Sequence, residues 1–148
     1  MAAEWWFYHL MRPPLAAALA PLFEKCLERN WRVLVVSQDP DTLETVDKDL
    51  WKYSDESFLP HGRDGELAER QPVLLSSMAD NQNDARVLVL LNGFDQSPDA
   101  EFERVMVVFD DGDEFARGKA RVQYAAAKKA GNPVRYFKQT SSGGWAEN

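Results

Sequence analysis

Short apolar runs recur along this chain, each separated from the next by a stretch with helical periodicity or by turn residues, and that alternation constrains the fold more than any other feature. Val33-Leu34-Val35-Val36, Val73-Leu74-Leu75, Val87-Leu88-Val89-Leu90-Leu91 and Val105-Met106-Val107-Val108-Phe109 lack the apolar–polar alternation of a half-solvated strand. Runs of this kind suit strands buried on both faces, as in parallel sheets covered by helices. Trp5 to Leu10 is aromatic and strand-like. Pro13-Pro14 then opens a helical pattern with Leu15, Leu19, Leu22, Phe23, Cys26 and Leu27 on one face, and Asn30 is placed to close it. Pro21 falls inside that pattern and predicts a kink or a restart. A second helix is expected over Asp39 to Trp51, with Leu43, Val46 and Leu50 in its pattern. A third is expected from about Asp113 to Ala130, stopped by Gly131-Asn132-Pro133 ahead of a last strand at Val134 to Phe137. The order predicts an α/β layered fold with a mainly parallel sheet and helices on its faces.

With 148 residues, 45% of them hydrophobic, the chain is long enough for one packed core and short for two. No repeat or long linker divides it, so residues 1–148 are expected to form a single domain. No run approaches the roughly 20 apolar residues needed to cross a bilayer, and the first residues lack the basic region of a secretory signal. A soluble, cytoplasmic protein with no membrane partner is expected. The single cysteine, Cys26, sits among helix-spaced apolar residues and reads as a small buried hydrophobe.

The net charge of −7 argues against nucleic-acid binding by the whole surface, since phosphate backbones are held by clustered Lys and Arg. The charge is unevenly spread. Residues 1–115 carry 10 Lys/Arg against 23 Asp/Glu, while residues 116–148 carry 7 against Glu147 alone. A basic end on an acidic body offers a local site for an acidic partner, or a solvated helix face.

Catalytic motifs are sparse. Asp39 and Asp41 follow one strand, and Asp110, Asp111 and Asp113 follow another, where α/β sheets place their ligands. Asp39 and Asp110 could hold Mg²⁺ for phosphotransfer or hydrolysis, although Asp is also the ordinary turn and N-cap residue at such ends. Neither a P-loop nor a GxGxxG follows the first strand. His9 and His61 lie far apart without a nearby ligand partner and read as structural. No cofactor or resident metal is expected.

The last helix carries a more particular pattern. Arg117, Arg121, Tyr124 and Lys128 are spaced by 4, 3 and 4, so they form a narrow stripe on one side. Phe115, Val122, Ala126 and Ala130 lie opposite and are expected to face the core. An aromatic ring between cations fits an acidic, apolar peptide: guanidinium groups pair with a terminal carboxylate, and the ring covers a terminal aromatic side chain. Single-stranded nucleic acid stacked on Tyr124, or a plain solvated face, would give the same pattern. A second cluster, Leu50-Trp51-Lys52-Tyr53 followed by Phe58-Leu59-Pro60-His61-Gly62, places large apolar side chains on a loop, either as a satellite core or for a protein partner.

These residues resemble the chi subunits of bacterial DNA polymerase III. Leu50-Trp51-Lys52-Tyr53-Ser54-Asp55-Glu56-Ser57-Phe58-Leu59-Pro60-His61-Gly62 and then Gln71-Pro72-Val73-Leu74-Leu75 are similar to the family's LW…FLPHG and PV segments, in order. Phe102-Glu103-Arg104-Val105 before a strand ending Phe109-Asp110, the helix with Arg121 and Tyr124, and Gly131 through Tyr136 to Gly144-Trp145 extend the resemblance over most of the chain. The resemblance implies a three-layer, Rossmann-like domain without enzyme activity of its own. It would join the clamp loader to the acidic C-terminal tail of single-stranded-DNA-binding protein, which ends in an Asp-Pro-Phe type sequence. Arg121 and Tyr124 match the family's tail-binding helix, and Arg117 matches a basic position one turn earlier; Lys128 rests on the helical spacing. Phe58 matches the residue implicated in contact with the psi subunit, and Trp51 and Leu59 are its neighbours. DNA would be reached indirectly, through the complex.

Overall fold

The computed structural model describes residues 3–12, 14–53, 60–63, 65, 67–98 and 101–148. In chain order the elements are β1 (Glu4–Leu10), α1 (Leu15–Glu28), β2 (Val33–Val36), α2 (Pro40–Tyr53), β3 (His61–Arg63) and, after a short 3-10 turn at Ala68–Arg70, β4 (Val73–Ser76). They continue with β5 (Val87–Leu90), β6 (Arg104–Asp110), α3 (Glu114–Lys129), β7 (Val134–Gln139) and β8 (Trp145–Glu147). All the strands join one sheet in the order β3-β4-β2-β5-β6-β1-β7-β8. Every neighbouring pair is parallel except β7 and β8, which are antiparallel.

The doubly apolar runs are buried on both faces, as expected: β2, β4 and β5 are buried at every position, and the sheet order sets them inside its edges. Because side chains alternate across a strand, each feeds two cores. Val33, Val35, Val87, Val89, Met106 and Val108 pack with α1 and α2 on one face. Leu34, Val36, Leu88, Leu90, Val105, Val107 and Phe109 pack with α3 and its flanking loops on the other. The result is the three-layer α/β arrangement. In β1 the alternation sends Tyr8 and Leu10 to the α1–α2 side and Trp5 and Phe7 to the α3 side.

Local chemistry explains the helix ends. Asp39 Oδ1 accepts from the Asp41 main-chain N–H at 3.1 Å, and Pro40 takes the first helical position of α2, where its missing N–H costs nothing. Asp113 caps α3, accepting from the Ala116 N–H at 3.0 Å. The other end of α3 closes with Gly131 at φ 88°, its N–H bonded to Lys128 O and that of Asn132 to Ala127 O. The same pair of bonds closes α1, with Asn30 at φ 61° in the left-handed position.

Of the two alternatives at Pro21 the restart is not what forms: helix α1 is a single 14-residue element that continues through Pro21, whose exposed position keeps the ring off the core. The core face of α3 is corrected. In α3 the buried residues are Ala116, Ala120, Gln123 and Ala127, whereas Phe115 and Val122 are 64% and 65% exposed, Ala126 is half-buried and Ala130 is exposed. The reason is volume. The sheet beneath supplies Trp5, Phe7 and Phe109, so the helix can settle closely only through its small side chains. Phe115 instead lies against Gly93, where a Cβ would come within 2.7 Å of its ring. The Arg117–Lys128 stripe therefore flanks the core face and does not lie opposite it. The strands β3 and β8 were not anticipated.

Candidate functional site

Three parallel strands and the helix that follows one of them build the site. The register sets Phe7 beside Tyr136 and His9 beside Phe109, so four ring-bearing residues of β1, β6 and β7 share the α3 face near the carboxyl ends of the strands. A tight turn, in which Asp110 Oδ1 accepts from the Gly112 N–H at 2.9 Å, then reverses the chain into α3. The first three turns of the helix consequently pass along the edge of that aromatic patch.

The stripe meets the patch in a cavity of about 550 Å³ lined by His9, Phe109, Arg117, Arg121, Tyr124 and Tyr136, with Ala120 and Asn148 completing it. Tyr124 is half-buried. Its ring packs edge-on to Phe7 at 5.3 Å and to Tyr136 at 6.4 Å, distances typical of favourable aromatic pairs. Opposite, the His9 ring stacks on Phe109 at 4.8 Å. Arg121 is exposed and forms no salt bridge among the described residues. Arg117 donates from Nη1 to the Asp111 carbonyl at 3.2 Å, which steadies its side chain beside the opening.

Charge and burial act together here. His9 Nε2 lies 2.7 Å from Asp111 Oδ1, and His9 Nδ1 lies 2.7 Å from the Tyr136 hydroxyl. The hydrogen bond from His9 holds the Asp111 carboxyl below its ordinary range, helped by the positive charges of Arg117 and Lys138. Burial pushes the Tyr136 phenol up, against the pull of Arg117 and Arg121. Both guanidinium groups are thus close enough to the cavity wall to act on a group there. An aromatic wall beside two cations suits a ligand with an apolar tip and a carboxylate.

Three of the four stripe residues, Arg117, Arg121 and Tyr124, are brought together. Lys128 is exposed and is not among the lining residues; it sits in the last turn of α3, where a cation favours the helix dipole. Of the second cluster, Trp51 is 48% exposed with its ring 4.2 Å from that of His61. Phe58 and Leu59 lie outside the described residues. His61 is itself buried, with Nε2 3.1 Å from Asp47 Oδ1, and Cys26 is a buried free thiol that burial pushes up.

The acidic turns are occupied locally. A larger crevice of about 820 Å³ at the carboxyl ends of the strands is lined by Asp110, Asp113 and Glu114 among others, but not by Asp39. Asp39 caps α2, Asp113 caps α3 and Asp110 closes a turn. Among the described residues, no group of three or more His, Cys, Asp or Glu is placed to hold a metal ion. No described helix is long and apolar enough to cross a membrane.

Sequence reasoning missed the cavity wall opposite the stripe: His9, Phe109 and Tyr136. Each lies in a predicted strand, yet their meeting depends on β1 lying between β6 and β7, which no local pattern reveals.

The family model described as DNA polymerase III chi subunit, HolC, matches residues 2–135, a span that includes the whole of α3. The chain is also similar to the probable DNA polymerase III subunit chi of Rickettsia prowazekii (strain Madrid E), with 31% identity over 104 residues. That alignment covers 69% of this chain and 62% of the relative, less than two thirds of its length.

Proposed function

This chain belongs to the DNA polymerase III chi subunit family, and on that footing we propose that it is a non-catalytic adaptor that captures the acidic C-terminal tail of single-stranded-DNA-binding protein. The observation that carries the proposal is the convergence of Arg117, Arg121 and Tyr124 on one aromatic-walled cavity. The tail's terminal carboxylate pairs with the guanidinium groups, its terminal phenylalanine enters beside Tyr124, and its preceding acidic residues lie along the basic end of the chain. The larger crevice is a poor alternative, because Asp110, Asp113 and Glu114 on its wall repel an acidic tail.

Capture of this kind tethers the polymerase assembly to coated single strands and raises its effective concentration there. The opposite attachment, to the clamp loader through a psi-type subunit, uses Trp51, Phe58 and Leu59. Titration of a labelled tail peptide against the wild-type chain, Arg121→Ala and Tyr124→Ala tests the reading. Each variant is expected to lose about 2 kcal/mol, the cost of truncating an interface anchor. Equal binding by all three removes the site, and no binding by the wild type removes the function.

A further inference from the structure

Capture of a carboxylate leaves one part of the cavity wall unused: the chain of contacts from Tyr136 through His9 to Asp111. Both ring nitrogens of His9 are engaged at 2.7 Å, and its side chain, only 12% exposed, is pinned against Phe109. An ionised carboxylate only accepts hydrogen bonds, so Nε2 must carry the proton that points at Asp111. In the neutral ring Nδ1 is then an acceptor, and the proton of the Tyr136 hydroxyl turns toward it. What Tyr136 offers to the cavity it lines is its oxygen lone pairs.

That polarity matters because the charged groups of the rim, Arg117 and Arg121, are donors only. A peptide held there by its terminal carboxylate brings a donor with it: the main-chain nitrogen of its last residue lies about 2.5 Å from the carboxylate carbon, a distance fixed by covalent geometry. Held against the aromatic wall beside two guanidinium groups, that N–H loses some of its water and is stabilised by an acceptor on the wall.

We infer that the Tyr136 hydroxyl oxygen accepts the main-chain N–H of the captured peptide's last residue, with His9 and Asp111 as positioning residues that keep the phenolic proton turned away. The proposal rests on the capture reading and deepens it: Arg117 and Arg121 read the carboxylate, Tyr124 the side chain, and Tyr136 the backbone. Burial keeps the phenol protonated, so the hydroxyl retains the single proton that the arrangement requires.

The test uses the full chain, wild type and Tyr136→Phe, with two acidic peptides that end in phenylalanine and a free carboxylate. One has an ordinary last amide; in the other an ester oxygen replaces the last N–H. Wild type is expected to prefer the amide peptide by about fivefold, the worth of one neutral hydrogen bond, and Tyr136→Phe to bind both peptides alike. The same amide-to-ester ratio in both proteins overturns the assignment of Tyr136 while leaving capture intact. Failure of wild type to bind the amide peptide removes capture and this assignment together. Nitrogen shifts of the His9 ring provide a second reading in the unliganded chain: a proton on Nε2 alone supports the arrangement, and a proton on Nδ1 overturns it.

Discussion

Arg121 and Lys128 carry the same formal charge on the same helix, yet their environments differ. Arg121 lines the aromatic cavity and Lys128 does not. Removing Lys128 should therefore cost no more than about 1 kcal/mol of peptide affinity, the usual worth of an exposed rim charge, against the larger loss expected for Arg121→Ala. Isothermal titration of Lys128→Ala checks this, and a loss as large as that of Arg121→Ala would extend the site beyond the cavity. At the same scale, Asp111 ties stability to acidity. Its carboxyl titrates below the ordinary value of 3.8 in the folded chain, because His9 donates to it and Arg117 and Lys138 lie near. The contribution is therefore fully present above the unfolded value and is lost as pH falls through the lower folded one. Asp111→Asn removes it, so the stability of the variant, followed by denaturation, should fall less steeply than that of wild type in the acid limb. Parallel acid limbs would contradict the account.

Helix α3 is held to the sheet by small side chains and by its two ends, so its stability should be sensitive to caps. Asp113→Ala removes the acceptor for the Ala116 N–H and should cost about 1 kcal/mol. Gly131→Ala puts a side chain at φ 88° and should destabilise by a similar amount, about 1 kcal/mol. Chemical denaturation of both variants checks the pair, and unchanged midpoints would show that the ends do not hold the helix. Phe7, fully buried beneath Tyr124, should cost about 3 to 5 kcal/mol on truncation to alanine.

Elements that announce themselves by long apolar periodicity were legible in advance: β2, β5, β6, α2 and α3 all lie where the pattern places them. Strands β3 and β8 were not, for each has only three residues and is defined by the neighbour it pairs with. The core face of α3 was misread for a related reason. Hydrophobicity alone assigns Phe115 and Val122 to the interior, whereas the bulk already supplied by the sheet selects Ala116, Ala120 and Ala127.

At the scale of the molecule, the sheet order makes the cavity. Strand β1 lies between β6 and β7, so His9 meets Phe109 on one side while Tyr136, two strands away from Phe109, closes the wall. The stripe on α3 was readable from spacing because it lies within one helix; the wall facing it was unreadable because it draws on residues more than 100 positions apart, as the 127-residue separation of His9 and Tyr136 illustrates. The uneven charge of the chain belongs to this scale too. Peptide affinity should weaken as salt rises through about 0.15 M, where the Debye length is about 8 Å, and should level off at the part contributed by the aromatic wall. Affinity insensitive to salt would remove the electrostatic half of the account.

The most direct test of the central claim is a map of backbone amide shifts as the acidic tail peptide is titrated into the isotope-labelled full chain. The account predicts the largest changes at Arg117, Arg121, Tyr124, His9 and Tyr136, with Asp39 and the Trp51 region unmoved. Changes centred on the Asp110–Glu114 crevice, or spread evenly without a focus at the cavity, would contradict it.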